Sequence, residues 1–348
     1  MSEERSATKE GGGGGVEARP RILLLTSDAL FPHFFPAHVL ARLERVGEWG
    51  HFNGREDSPE LRGLLARADA LMTTWHSPFL RMAMLGSPRR VRLIAHCGGE
   101  LKARMEPEVV RQLTVANAPG PMAAPVAEMA LAMVLMLVRQ LPRYEREMRA
   151  GLVQSNEVVS RGETVRGRRV GIVGFGRIGR AFARMLAPLG PELYVADPYC
   201  PEEAAAEHGA KRVEVEELLR ECSVVVLAAG LTDETRHMLD AARLALMPDG
   251  SYLVNVGRGG LVETEALLAE LRSGRISAAL DVTDPSEPLP PDHELRRLPN
   301  VLLTPHVAAG GIEMRHALGE TAAEEVARFF RGERPENVVT PEMLARMT

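Results

Sequence analysis

The stretch Gly174-Phe175-Gly176-Arg177-Ile178-Gly179 restricts the fold of this chain more than any other. It follows a short apolar run, Arg169-Val170-Gly171-Ile172-Val173, and opens a helical pattern over 177–189 that Gly190-Pro191 stops. A strand that turns into a helix through three glycines at this spacing is the phosphate-binding turn of a dinucleotide site. Gly174 makes the tight turn, Gly176 lets the backbone approach a pyrophosphate, and Gly179 lets helix and strand pack closely. The helix N-terminus adds unpaired N–H groups and the positive end of its dipole. The next apolar run, 192–197, ends in Asp197, about twenty residues on, where a carboxylate can accept hydrogen bonds from ribose hydroxyls. That carboxylate would repel a 2′-phosphate and no arginine follows it immediately, so the expected cofactor is NAD rather than NADP.

The same alternation runs through the whole chain. Apolar runs at 21–26, 70–74, 91–95 and 113–117 predict strands, as do those at 223–228, 251–256, 276–282 and 301–304. Helical patterns lie at 37–45, 214–221, 241–246, 263–273 and 312–331, and at 58–68, where Ser58-Pro59-Glu60 is an N-cap signature. Strands alternating with helices predict an α/β protein with two doubly wound parallel-sheet (Rossmann/flavodoxin-like) domains, divided near Asn117-Ala118-Pro119. Residues 121–141, rich in Ala and Met, predict one long buried helix broken at Pro142, apolar enough to sit between subunits.

Composition narrows the class. With 45% hydrophobic and 26% charged residues the chain is an ordinary globular one. A net charge of -5 without a basic stripe argues against nucleic acid as a partner. Three scattered cysteines, Cys97, Cys200 and Cys222, fit neither a disulfide framework nor a metal site. Residues 1–20, with their glycine run, lack the apolar segment of a signal peptide and read as a disordered leader. The most apolar stretch, 126–138, is too short to span a bilayer and contains Glu128. A cytoplasmic protein without a membrane partner is expected.

Three residues beyond the glycine loop suggest chemistry, each at a predicted strand exit where sheet ligands bind. They are Arg258 in Asn255-Val256-Gly257-Arg258-Gly259-Gly260, Glu287 in Asp284-Pro285-Ser286-Glu287-Pro288, and His306 in Thr304-Pro305-His306-Val307-Ala308. Their order, together with the glycine loop, Asp197, Leu231-Thr232-Asp233-Glu234-Thr235, Leu280-Asp281-Val282 and the earlier Asn117-Ala118-Pro119-Gly120, resembles the D-isomer-specific 2-hydroxyacid dehydrogenase family. The resemblance covers nearly everything after about Val91.

That resemblance implies NAD-dependent hydride transfer between NADH and a small 2-keto acid, in the reductase direction. It implies that His306 is the acid/base, Glu287 its partner, and Arg258 the group that binds the substrate carboxylate and carbonyl. It places Asp281 at the nicotinamide amide, with Arg177, Ile178, Thr232, Val256, Gly257, Arg258, His306 and Ala308 also along the cofactor. It further implies a split topology, with 21–118 plus 310–348 as substrate domain and 119–309 as NAD-binding domain, and a homodimer built around the long helix. Two segments depart from the family. The loop that commonly reads Gly-x-Gly-Val-Asp-Asn is here His96-Cys97-Gly98-Gly99-Glu100-Leu101-Lys102, so Gly98 and Gly99 remain as substrate-binding candidates while Lys102 is an added charge. Gly230 stands where a proline usually precedes Leu-Thr. Two other readings are an NAD(H)-sensing corepressor-like binding protein and a formate-type dehydrogenase, the latter disfavoured because its relatives carry glutamine where Glu287 stands.

Overall fold

The computed structural model describes residues 19–151 and 162–347; the leader expected over 1–20 therefore lies, up to residue 18, outside the described residues. Pro20 already belongs to the folded body, its carbonyl accepting a hydrogen bond from the Glu48 N–H.

Strands β1 (Arg21–Leu25), β2 (Glu48–Phe52), β3 (Ala70–Thr73), β4 (Leu93–His96) and β5 (Thr114–Asn117) form one sheet in the order β2-β1-β3-β4-β5. Strands β6 (Arg169–Val173), β7 (Glu192–Ala196), β8 (Ala210–Arg212), β9 (Val224–Leu227), β10 (Ser251–Asn255), β11 (Ile276–Leu280) and β12 (Val301–Leu303) form a second, in the order β12-β11-β10-β9-β6-β7-β8. Every pairing between these strands is parallel. The central strands are buried on both faces, which is why they read as continuous Leu, Ile and Val runs rather than as alternation. Counted from its own first strand, the second sheet has the Rossmann order 3-2-1-4-5-6 plus one further strand. The first has the flavodoxin-like order 2-1-3-4-5.

The chain passes between the two sheets twice. Helix Ala123–Val138 packs on helix Arg177–Leu186 and on β10 and β11 of the second sheet, burying Val126, Ala130, Met133, Val134 and Leu137. Helix Ile312–Phe330 returns to the first sheet and packs on Phe31–Phe34, Ala37–Val46 and β4. Its Gly319 lies so close to the Phe34 carbonyl that an added Cβ would stand 1.7 Å from that oxygen. Beyond it, Asn117 and Val115 on β5 exchange backbone hydrogen bonds with Asn337 and Val339, so the chain's end closes that sheet edge.

The expected single helix over 121–141 is two. Helix Ala123–Val138 ends at Arg139, Gln140 adopts a left-handed backbone (φ 56°), and a second helix runs Leu141–Arg149. Pro142 therefore opens a helix, where its missing N–H costs nothing, instead of breaking one. The edge strands β2 and β8 were not anticipated from residue patterns. No single helix among the described residues is long and apolar enough to cross a membrane.

Candidate active site in the cleft between the sheets

The glycine loop sits where the second sheet reverses its strand order, between β6 and β9. Gly174 has φ +90°, and a Cβ there would lie 2.5 Å from the Ala229 nitrogen. A Cβ on Gly179 would lie 2.3 Å from the Gly174 carbonyl oxygen. Both glycines are thus required by the protein itself. Gly176 is different: a Cβ there meets nothing within 4 Å, and its φ of −74° suits any residue. Its lack of a side chain leaves space on the cleft side for a close ligand, at the N-cap of helix Arg177–Leu186, as a pyrophosphate requires. Ile178 lines the same cleft.

Asp197 closes this end. Its carboxylate accepts the Phe175 N–H at 2.7 Å and the Tyr199 N–H at 2.8 Å, so it pins the glycine loop to the end of β7. A carboxylate has about four acceptor positions, so capacity remains for ribose hydroxyls. The cleft, of about 2180 Å³, runs from Asp197 past Thr232, Val256 and Asp281 to Arg258, Glu287 and His306 on one wall. Trp75, Gly99, Glu100, Lys102, Arg104 and Arg315 line it from the elements of the first sheet.

The three residues expected to carry chemistry converge there. His306 follows β12 in a left-handed conformation (φ 54°). Its Nδ1 is 2.6 Å from Glu287 Oε2, and because a carboxylate only accepts, Nδ1 is the donor. Glu287 Oε1 accepts the Thr283 N–H at 2.8 Å, which fixes the carboxylate. The hydrogen bond to Glu287 raises the imidazole's pKa, against burial and the Arg258 charge, which lower it. Burial pushes Glu287 upward, but the His306 hydrogen bond, the Thr283 N–H and the nearby cations outweigh it and hold the acid below its usual value. Burial lowers the pKa of Arg258, opposed by Glu100 and Glu287; it remains a cation.

The loops that hold these groups are organised by two residues. The buried Asn255 at the end of β10 accepts the Gly257 N–H through Oδ1 and donates through Nδ2 to the Arg258 carbonyl. Gly257 and Gly259 are again dictated by packing, since a Cβ on the latter would lie 2.1 Å from the Thr283 carbonyl carbon. The buried Asp281 accepts from the Thr304 hydroxyl, the Val307 N–H (2.9 Å) and the Ala308 N–H (2.8 Å), while its carbonyl accepts the His306 N–H (2.8 Å). Asp281 therefore shapes the His306 loop as well as facing the cleft. The Asn255 role was not seen in the sequence, although its place at a strand end before Gly-x-Gly was a usable signal.

At the substrate end the two glycines separate in role. The Gly98 N–H is already engaged by the His96 carbonyl at 2.9 Å. A Cβ on Gly98 would stand 2.6 Å from His96 Nε2 and 2.8 Å from Trp75 Nε1, so packing requires this glycine. Gly99 lines the cleft, its carbonyl held by Asn117 Nδ2 at 2.8 Å. His96 is wholly buried, and burial followed by the Arg104 charge pushes its pKa down to about 3, so it is neutral. Thr232 lies in a turn closed by the Thr235 hydroxyl, which donates to the Gly230 carbonyl at 2.7 Å, so Gly230 is held despite lacking proline's rigidity. Arg177 and Gly257 do not line the cleft; Arg177 opens the helix behind the glycine loop and Gly257 lies in the loop after β10. Arg104 and Arg315 are cleft cations that no local motif announces.

Residues 131–308 match the family model for the NAD binding domain of D-isomer specific 2-hydroxyacid dehydrogenases. The chain is 35% identical over 280 residues to a glyoxylate reductase of Korarchaeum cryptofilum, covering 79% of this chain and 84% of the relative. It is 32% identical over 300 residues to a D-3-phosphoglycerate dehydrogenase of Methanocaldococcus jannaschii, covering 85% of this chain and 56% of the relative. The holo form of D-mandelate dehydrogenase from Rhodotorula graminis superposes with a TM-score of 0.79 at 25% identity, over 92% of this chain and 98% of that one. With its glycine loop at the sheet's switch point and its NAD-binding domain matched, the chain belongs to the D-isomer-specific 2-hydroxyacid dehydrogenase family, NAD-dependent oxidoreductases acting on CH–OH groups.

Proposed function

We propose that this protein reduces a small 2-keto acid to its D-2-hydroxy acid, with His306 as the proton donor, Glu287 as its positioning partner and Arg258 as the substrate anchor. The observation that carries this reading is the 2.6 Å His306–Glu287 pair facing Arg258 in the cleft that also holds the glycine loop. The glycine loop and the first turn of helix Arg177–Leu186 would hold the pyrophosphate, Asp197 the ribose, and the Val256, Asp281 and Ala308 region the nicotinamide end. NADH, when bound, supplies the hydride.

Each protein group has a definite task. Arg258, half-buried beside glutamates, offers a desolvated guanidinium for a charge-assisted contact to the substrate carboxylate and carbonyl oxygen. Gly99 borders that position. Glu287 favours the imidazolium and so raises the pH up to which His306 holds the proton that the developing alkoxide takes. In the reverse direction the neutral imidazole accepts the hydroxyl proton. Residues 21–118 with 310–348 act as the substrate domain and 119–309 as the NAD domain, and Gly99 and Arg258 line the cleft from one and the other. Leu141 and Met148, 49% and 63% exposed beside the long apolar helix, suit a homodimer contact. We place the protein in the cytoplasm, in keeping with three buried free cysteines.

The test is NADH oxidation with glyoxylate, hydroxypyruvate, pyruvate and bulkier 2-keto acids, with the chirality of the product determined. Turnover of at least one acid to the D-isomer is expected. Tight NADH binding with no turnover of any keto acid would mean that the chain is a binding protein.

A further inference from the structure

Reduction of a simple keto acid needs one cation for one carboxylate, and Arg258 supplies it. The same cleft carries Lys102, Arg104 and Arg315 as well. Arg104 is fixed by Nη1 donating to the Trp75 carbonyl at 2.8 Å. Its Nε is buried without a hydrogen-bond partner among the described residues, and the nearest carboxylate oxygen, on Glu100, is 3.9 Å away. Arg315, in the first turn of helix Ile312–Phe330, sets Nη1 3.0 Å from His33 Nδ1. Its Nε is likewise buried without a hydrogen-bond partner among the described residues. The two guanidiniums are far apart in the sequence, so the fold has brought them to one cleft.

Arg104 has only the longer ion pair with Glu100, and no ion pair to Arg315 is formed among the described residues. His76 registers the resulting field: burial lowers its pKa first, and the charges of Arg55, Arg104 and Arg315 lower it further. A partly buried guanidinium whose Nε–H has no acceptor is costly unless something anionic completes it. Their planar donors match carboxylate or phosphate oxygens. We propose that Arg104 and Arg315 form a second anion subsite, so that the preferred substrate is a 2-keto acid carrying another negative group, carboxylate or phosphate, at its far end. This rests on the keto-acid reading and narrows it.

The experiment compares matched substrates in the full-length enzyme with saturating NADH. One pair is 2-oxobutyrate and oxaloacetate; the other is hydroxypyruvate and its 3-phosphate. The wild type is expected to prefer the charged member by at least about tenfold in kcat/KM, the pair with the larger preference identifying the group. In Arg315→Gln that preference should fall about tenfold, through KM, with partial recovery in Arg315→Lys. Arg104→Gln should act in the same direction, which covers a failure of either variant to fold. Equal use of charged and neutral acids, or a preference unchanged in both glutamine variants, overturns the subsite and leaves keto-acid reduction intact. Should no keto acid be reduced, calorimetry of succinate against butyrate on the NADH-loaded protein still decides. Tighter succinate binding that Arg315→Gln abolishes upholds the subsite, and equal binding refutes it.

Discussion

Replacing Glu287 by glutamine keeps the shape of the side chain but removes its charge and one of its two acceptor oxygens, which makes it the sharpest probe of the catalytic pair. With the amide oxygen on the Thr283 N–H the loop should hold, but the amide NH2 then meets His306 Nδ1, and it can only donate to a nitrogen that the imidazolium keeps protonated. What is lost is the negative partner 2.6 Å from His306 Nδ1. Unit charges about 4 Å apart interact by roughly 1 kcal/mol in water and roughly 4 kcal/mol at a near-surface effective dielectric. The His306 side chain is 47% exposed and that of Glu287 33%, so solvent screening confines the effect to the lower part of that range. A loss of about 1–2 kcal/mol is expected, or about one pKa unit. The sign follows from what remains: burial and Arg258 both lower the imidazole's pKa, and once Glu287 is neutral only the Asp281 charge, a smaller influence than either, raises it. In the reductive direction the active form is the imidazolium, so kcat/KM declines as pH rises through the His306 pKa. That alkaline limb should move down by about one unit in Glu287→Gln, with activity about tenfold lower well above it. The profile is measured by NADH absorbance under saturating cofactor. A limb that stays in place, or moves upward, would show that Glu287 does not set the protonation of His306.

Three further expectations follow from other parts of the structure. Gly179→Ala should lose about 1–3 kcal/mol of stability from its clash with the Gly174 carbonyl, whereas Gly176→Ala should unfold like the wild type yet bind NADH at least about tenfold more weakly. Unchanged NADH affinity in Gly176→Ala, measured by fluorescence titration, would remove the glycine from the pyrophosphate site. The buried Glu325 carboxylate accepts the backbone N–H groups of Glu336 and Asn337 and the Asn337 side-chain amide, so Glu325→Ala should cost about 2–4 kcal/mol in urea unfolding; a loss below about 0.5 kcal/mol would show that the chain's end adds little to the fold. The His306–Glu287 pair should stabilise the fold only within a pH window. The raised His306 pKa gives a contribution that is full below about 6.5 and lost as pH rises through the folded value, while the lowered Glu287 pKa gives one lost as pH falls through its folded value, beneath about 4.5. The stability difference between wild type and Glu287→Gln should therefore vanish at both extremes, and a difference that persists at high pH would assign it to packing.

What could be read in the sequence was what depends on neighbours along the chain. The glycine loop, the apolar central strands and the Ser58 cap, which accepts the Leu61 N–H at 3.1 Å, are local features, and the structure has them where residue patterns put them. Strand β2 was missed because Glu48-Trp49-Gly50-His51-Phe52 is a mostly solvated edge, made a strand by pairing with β1. The break at Gln140 was misplaced by two residues because Pro142 is as good a helix opener as a helix breaker. In the cleft, Arg258, Glu287 and His306 stood out through their strand-end positions. Arg104 and Arg315 did not, since only the docking of helix Ile312–Phe330 against the first sheet brings them to one cleft. Gly98, a substrate-binding candidate in the sequence, has its N–H bonded to the His96 carbonyl and its Cα wedged between His96 and Trp75, contacts that no local pattern reveals.

The central claim, that His306 donates the proton in an NADH-dependent keto-acid reduction, is tested most directly by His306→Ala. NADH affinity and turnover are measured on the same preparation with whichever keto acid the wild type reduces best. The account requires NADH to bind as in the wild type while kcat falls by about 10²–10⁴. Turnover within a few-fold of the wild type would contradict it.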